Sequence, residues 1–218
     1  MLFVLTFVTG LVDAVTYLGL GHVFAANQTG NVIVLGFALV GAGQISATGA
    51  LASLASFVVG AAFSGWATLR LERAIRGWTR AMFALEAGLL VVAAVLSTMS
   101  PVFETLVVAI LAFAMGMRNA TLQHLGLGTV STTVLTTTLA NLVGHGFMRG
   151  NWQVVRPRLG AVVAMLLGAV CGALLLQYGT LAVLGLGAAL TIAVALVHGE
   201  RGVRTAAQSF SGETAIIQ

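Results

Sequence analysis

From Ala47 to Leu69 the chain carries no charged side chain. That run is long enough to cross a ~30 Å hydrocarbon core, which takes about 20 residues of helix. Runs of this kind fill most of the sequence. Only 7% of the residues are charged and 59% are hydrophobic, whereas a soluble domain carries about 25% charged residues. No single globular core could bury so much apolar sequence, so lipid must be the solvent for much of it. A transmembrane barrel would need alternating strands of ~10 residues; the apolar runs here are long and continuous. The expected fold is an all-α polytopic membrane protein.

Eight apolar segments can be drawn, at about 1–20, 22–43, 47–69, 81–98, 104–122, 127–148, 159–178 and 180–198. Two basic connectors interrupt them, RLERAIRGWTR at 70–80 and RGNWQVVRPR at 149–158, and Pro101 marks a turn. Residues 199–218 form a polar tail. The first segment has no basic leader and no cleavage site before a soluble domain, so it reads as a retained span. The net charge of +4 arises from ten arginines with no lysine. Most of them fall between apolar segments, where they are topology signals and not a nucleic-acid surface. Cys171 is the single cysteine. It reads as a packed small hydrophobe, so no disulfide or metal framework is expected.

An internal repeat divides the chain. GLVDAVTYLGLG at 10–21 matches GMRNATLQHLGLG at 116–128 with one residue inserted. Gly10, Asp13 and Ala14 then pair with Gly116, Asn119 and Ala120, and Thr29-Gly30-Asn31 falls opposite Thr136-Thr137-Thr138. The repeats cover 1–99 and 100–198, each with four apolar segments, of which the second is the polar one. Suppose all eight segments cross. Three crossings then separate the two basic connectors and put them on opposite sides, against the positive-inside rule. Suppose instead that segments two and six enter and return. Both connectors and the tail then share one side, six full spans remain, and the halves are inverted. Inverted repeats with interrupted helices are a common transporter construction. The expectation is six spans plus two re-entrant or broken helices in a bacterial inner membrane, with both termini cytoplasmic.

A re-entrant segment explains the polar residues of segment two. Backbone groups freed where a helix stops must be buried in protein or line a wet cavity. Thr29 and Asn31 suit a helix N-terminus, Gly30 allows close backbone approach, and the dipole of the half-helix would point inward. Thr136, Thr137 and Thr138 would do the same from the other side. The competing reading is a continuous helix whose polar residues face a neighbour.

These residues resemble the YoaK-like family of bacterial integral membrane proteins. Its G-x-x-D-A element is met by Gly10, Asp13 and Ala14. Its G-x-V-F-x-x-x-x-T-G-N element is met by Gly21, Val23, Phe24, Thr29, Gly30 and Asn31. Ala114, Met115, Gly116, Asn119 and Ala120 fit A-M-G-x-x-N-A. Thr132, Thr133, Thr136, Thr138 and Leu139 fit T-T-x-x-T-G-T-L, with Thr137 where that pattern has glycine. The resemblance covers nearly the whole chain and implies a six-span protein; it implies no particular chemistry.

Asp13 lies inside the first span, where an ionisable group is a functional hypothesis by default. It reads as a proton, cation or ligand site, or as a structural partner of Arg118 or Asn119. Arg118 reads as an anion ligand, as the neutraliser of Asp13, or as a snorkelling interface residue. Glu86 is expected to pair with an arginine of 70–80, with a proton relay as the other reading. His22 and His124 read as structural, and Asn141 and His145, four residues apart on one helical face, read as a polar lining. No G-x-S-x-G, H-E-x-x-H or P-loop is present, so no enzyme, cofactor or metal is expected. The leading expectation is a small-solute or ion transporter. Asp13, Asn27, Thr29, Gly30, Asn31, Arg118, Asn119, Thr136, Thr137 and Thr138 would form its central polar site. The alternatives are a passive channel and a non-transporting scaffold or accessory subunit. Expected partners are the lipid bilayer, an unknown solute or ion and a second copy in a homodimer, with no nucleic acid.

Overall fold

A computed structural model describes residues 1–42, 47–71, 77–127 and 152–197. The described elements are helical: α1 (Leu2–Gly19), α2 (Gln28–Leu39), α3 (Ala47–Leu71), α4 (Trp78–Met99), α5 (Glu104–His124), α6 (Trp152–Leu175) and α7 (Thr180–Val197). Six of these are long and apolar enough to cross a membrane. The exception is α2. Its 12 residues make about 18 Å of helix, well short of a ~30 Å core. Residues 20–27, expected to continue an apolar segment, are not helical. Pro101 opens a single 3-10 turn between α4 and α5, since proline cannot donate to a preceding turn.

The helices share two common ends. Leu5, Phe83, Leu122 and Val194 belong to one buried cluster, which joins the starts of α1 and α4 to the ends of α5 and α7. Ala67 and Trp78 cluster together, adding the end of α3. Phe3 packs at Gly160, and further along Leu176 packs at Gly19, so α6 runs parallel to α1 and starts at this same end. Gly19, Ser100, Glu104 and Thr180 line one cleft at the opposite end. Arg70, Arg80, Arg156 and Arg158 therefore all sit at the end where α1 begins. The second basic connector is shorter than its sequence suggests, because α6 starts at Trp152 and takes Arg156, Pro157 and Arg158 into its first turns.

Because α1 ends and α3 begins at the far end, α2 lies between them without changing sides. Likewise α5 ends and α6 begins at the arginine-bearing end. Helix pairing is also regular. The main pairs are α1 with α6, α3 with α5, α4 with α7, α4 with α5 and α1 with α7. This set is unchanged when α1 is exchanged with α5, α3 with α6 and α4 with α7.

Glycine sets the tightest crossings. A Cβ on Gly60 would lie 2.1 Å from the Phe113 carbonyl oxygen, and one on Gly116 2.1 Å from that of Phe57. At the other seam, a Cβ on Gly168 would lie 2.1 Å from the Phe7 carbonyl oxygen, and one on Gly10 2.3 Å from that of Met165. Small residues let membrane helices approach until backbone meets backbone, which supplies dispersion energy that lipid-facing leucines do not. Ser64 and Thr121 add a 2.9 Å hydroxyl contact across the α3–α5 seam.

Substituting alanine at Gly60 or Gly168 should cost about 1–3 kcal/mol, since the neighbour is backbone and cannot rotate away. Gly65 and Gly88 meet nothing within 4 Å. Alanine there should be neutral or stabilising by up to about 1 kcal/mol through helix propensity. Thermal unfolding of the four variants in one detergent checks this ordering.

Candidate functional site

Helix α1 carries Thr6, Thr9, Asp13 and Thr16 at three- and four-residue spacing, which places them along one strip of the helix. All four are buried. The threonine hydroxyls donate to carbonyls one turn back, Thr6 to Leu2, Thr9 to Leu5 and Thr16 to Val12, at 3.0, 3.0 and 3.2 Å. Asp13 has no such local outlet, and its partner comes from the next segment. Its Oδ1 accepts from the backbone N–H of Ala25 at 3.0 Å and of Ala26 at 2.8 Å. Asp13 lies six residues before the end of α1, about 9 Å along the axis. The segment 20–27 therefore folds back alongside α1 before α2 begins. Hydrogen bonds to a charged acceptor contribute about 1.5–3 kcal/mol each, so the loop is strongly held.

A second set of bonds fixes the same loop from α2 and α3. Asn31 Oδ1 accepts from the Phe24 N–H at 2.8 Å, and its Nδ2 donates to the Phe24 carbonyl at 2.6 Å. Nδ2 also reaches Gln28 Oε1 and Ser53 Oγ, both at 2.9 Å. Ser53 Oγ donates to the Phe24 carbonyl at 2.6 Å. The amide of Asn31 thus mimics a strand partner for one residue. Asn27 caps α2 by accepting from the Gly30 N–H at 3.3 Å. Gly30 leaves room for the Phe24 ring, which a Cβ would meet at 2.8 Å. The helix start is therefore Gln28, with Asn27 as the cap in place of the expected Thr29 or Asn31. Thr29 and Asn27 are exposed. Of the polar residues 27–31 only Asn31 is buried, and its amide is committed to local bonds.

The charged centre lies on the other side of Ala26. Arg118 of α5 donates from Nε to Glu86 Oε1 at 2.8 Å, and its Nη2 pairs with the same oxygen. Nη1 reaches the Leu5 carbonyl at 2.8 Å and Thr9 Oγ1 at 3.0 Å. The expectations for this pair are corrected. Arg118 does not neutralise Asp13 but pairs with Glu86, which was expected to meet an arginine of 70–80; of those, Arg73 and Arg76 lie outside the described residues. Glu86 of α4 and Arg118 of α5 face each other in adjacent helices, and both are buried. A fixed planar fork suits a buried pair better than a long snorkel to the interface. Asp13 Oδ2 and Glu86 Oε2 are buried with no hydrogen-bond partner among the described residues.

Between α1, α3 and α5 lies a cavity of about 20 Å³, lined by Thr6, Thr9, Ala26, Arg118, Asn119 and apolar neighbours. That is room for roughly one water. The structure thus brings Arg118 and Asn119 to one cavity, with Asp13 one residue contact away through Ala26. Asn27 and Thr29 do not line it. Thr136, Thr137 and Thr138 lie outside the described residues, as do Asn141 and His145. His22 is exposed and sits edge-on to Tyr17, and His124 lies edge-on to Trp78. No group of three metal-ligating side chains occurs among the described residues. Thr9 and Ser53 are the site residues that the sequence reading missed. Thr9 could have been found from the polar strip on α1, whereas Ser53 carries no local signal.

Removing one member of the buried pair should cost about 3–5 kcal/mol, because the survivor is left charged and unpaired. Glu86→Gln and Arg118→Met should each lower the unfolding temperature in detergent sharply. The double variant should lie closer to the parent than either single one.

The chain can now be compared with known proteins. The family described as protein of unknown function DUF1275 matches residues 1–197. The UPF0700 transmembrane protein YoaK of Bacillus subtilis (strain 168) is 35% identical over 149 residues, which is 66% of this chain and 64% of that protein. The aligned stretch therefore spans somewhat less than two thirds of the relative. No solved structure matches. A family match that runs through all six apolar helices makes this chain a member of the DUF1275 family and a multi-pass membrane protein.

Proposed function

We propose that the protein is a small-solute or ion transporter of the bacterial inner membrane, built as two inverted repeats about the cavity between α1 and α5. The observation that carries this reading is the cavity itself. It is a water-sized space between apolar helices, and a buried guanidinium and a half-buried amide line it among apolar side chains. Buried charge in a membrane protein is costly and marks ion and substrate paths. Support for the repeats comes from the exchange-invariant helix pairing and from equivalent helices running in opposite directions. The reading of α2 as re-entrant is supported by its length and by the common end shared by its neighbours. The positive-inside rule then puts the arginine-bearing end, with both chain termini, in the cytoplasm.

In this reading Thr9, Arg118 and Asn119 contact the solute, and Thr136, Thr137 and Thr138 would approach from the second polar segment. The narrow cavity corresponds to a closed form that must widen by relative movement of the halves. That same narrowness favours one competing reading, a non-transporting scaffold. A channel is the third reading, separated from a carrier by its non-saturating, voltage-dependent flux.

The test is tracer flux into proteoliposomes over a broad panel of small solutes and ions. Saturable uptake is expected for the parent, with loss on filling the cavity by Asn119→Leu and a changed rate in Asp13→Asn. Absence of both flux and binding across the panel overturns transport.

A further inference from the structure

We propose that Asp13 is a proton-binding site, and that the proton it takes up loosens the segment Leu20–Asn27 where that segment walls the cavity. Three observations lead there. First, the described buried ionisable side chains are Asp13, Glu86 and Arg118. Arg118 is committed to Glu86, so among the described residues two buried acids share one buried base and the negative charge of Asp13 has no buried cation to balance it. A lone charge in a lipid-embedded interior is expensive, and a proton removes it. Second, Asp13 Oδ2 is buried with no hydrogen-bond partner among the described residues, so it can take the proton while Oδ1 keeps the loop. Third, Oδ1 holds the amides of Ala25 and Ala26, and Ala26 is itself a wall of the cavity.

The step is a simple one. A hydronium ion gives its proton to Oδ2 and leaves as water, an O–H bond forms, and the carboxylate becomes a neutral acid. Oδ1 then loses most of its charge and becomes a weaker acceptor, so two charge-assisted bonds fall to ordinary ones.

Other groups near α1 do not account for the same switch. On α5, Arg118 is already paired, while Glu104 and His124 lie at opposite ends of the helix. Arg156 and Arg158 begin α6, at the end of the bundle where α1 starts, about 16 Å along the axis from Asp13. Cys171 of α6 flanks Gly172, which packs against Ala14. On α7 the described residues include no titratable side chain. His22 in the loop is exposed against Tyr17, which makes it a reference position and not a partner of Asp13. The inference rests on the cavity being the solute site only for its link to transport; the proton and the loop can be tested without solute.

The experiment uses the full chain in nanodiscs with Cys171→Ser. Ala26→Cys reports the clamped, buried position, and His22→Cys reports the exposed turn of the same loop. Maleimide labelling is followed from about pH 8 to about pH 5, and the ratio of the two rates cancels the pH dependence of thiol reactivity itself. The ratio should rise on the order of tenfold as pH falls, the worth of one charge-assisted hydrogen bond. With Asp13→Asn added it should be high and flat. A flat ratio with Asp13 intact overturns the proposal, as does an unchanged pH response in Asp13→Asn. A ratio that follows sodium at fixed pH overturns the proton as the ligand. Should Ala26→Cys fail to fold, amide hydrogen exchange of residues 20–27, corrected for intrinsic chemistry, must show the same dependence on pH and on Asp13. No solute is present, so failed transport leaves this result standing, and a flat ratio leaves transport standing.

Discussion

In lipid a polar atom has no water to fall back on, so each one must be answered from within the protein. That constraint shapes every polar feature of this fold. The hydroxyls of α1 turn back on their own carbonyls. The guanidinium of Arg118 reaches three partners on two other helices. Asn31 holds both backbone groups of Phe24, in a stretch where the chain has left its helix and would otherwise strand them. Among the described residues two carboxylate oxygens stand outside this satisfaction, one on Asp13 and one on Glu86.

Apolar packing meets the complementary demand. Helices in a bilayer gain little from hiding leucine, because the tails around them are equally apolar. What draws α3 to α5 and α1 to α6 is the near contact of backbones at glycine. The same glycine-to-carbonyl arrangement occurs on both seams, with Gly60 and Gly116 on one and Gly168 and Gly10 on the other. One seam fixes α5 on α3 and the other fixes α1 on α6, and α1, α3 and α5 line the cavity.

Much of this was legible in the residues. Long uncharged runs fixed the class, and the spacing of arginines gave the count of crossings, because charge at a membrane end is costly to move across. Gly10, Asp13 and Gly116 stood out because glycine and aspartate are unusual where hydrophobes would serve. The partners of those residues were harder to read. Asp13 finds amides twelve and thirteen residues ahead, through a loop whose return path depends on Asn31 and Ser53 together. Arg118 chooses Glu86 because α4 and α5 are antiparallel neighbours joined by one short turn. Sequence spacing offered the arginines of 70–80 as easier partners, but of these Arg70 ends α3 and Arg80 lies in the first turn of α4. Asn27 and Thr29 were expected to face inward; both are exposed, Asn27 as the cap of α2.

Helix α1 is gripped at two heights by different bodies. Towards its beginning, Arg118 of α5 holds the Leu5 carbonyl and the Thr9 hydroxyl; towards its end, Asp13 holds the returning loop. About one helical turn separates the two grips. A rod tied this way cannot slide along its length without tearing one tie, and the close approach of Gly10 to the Met165 carbonyl holds it sideways against α6 between the two. The register of α1 is therefore fixed in three directions by three different partners.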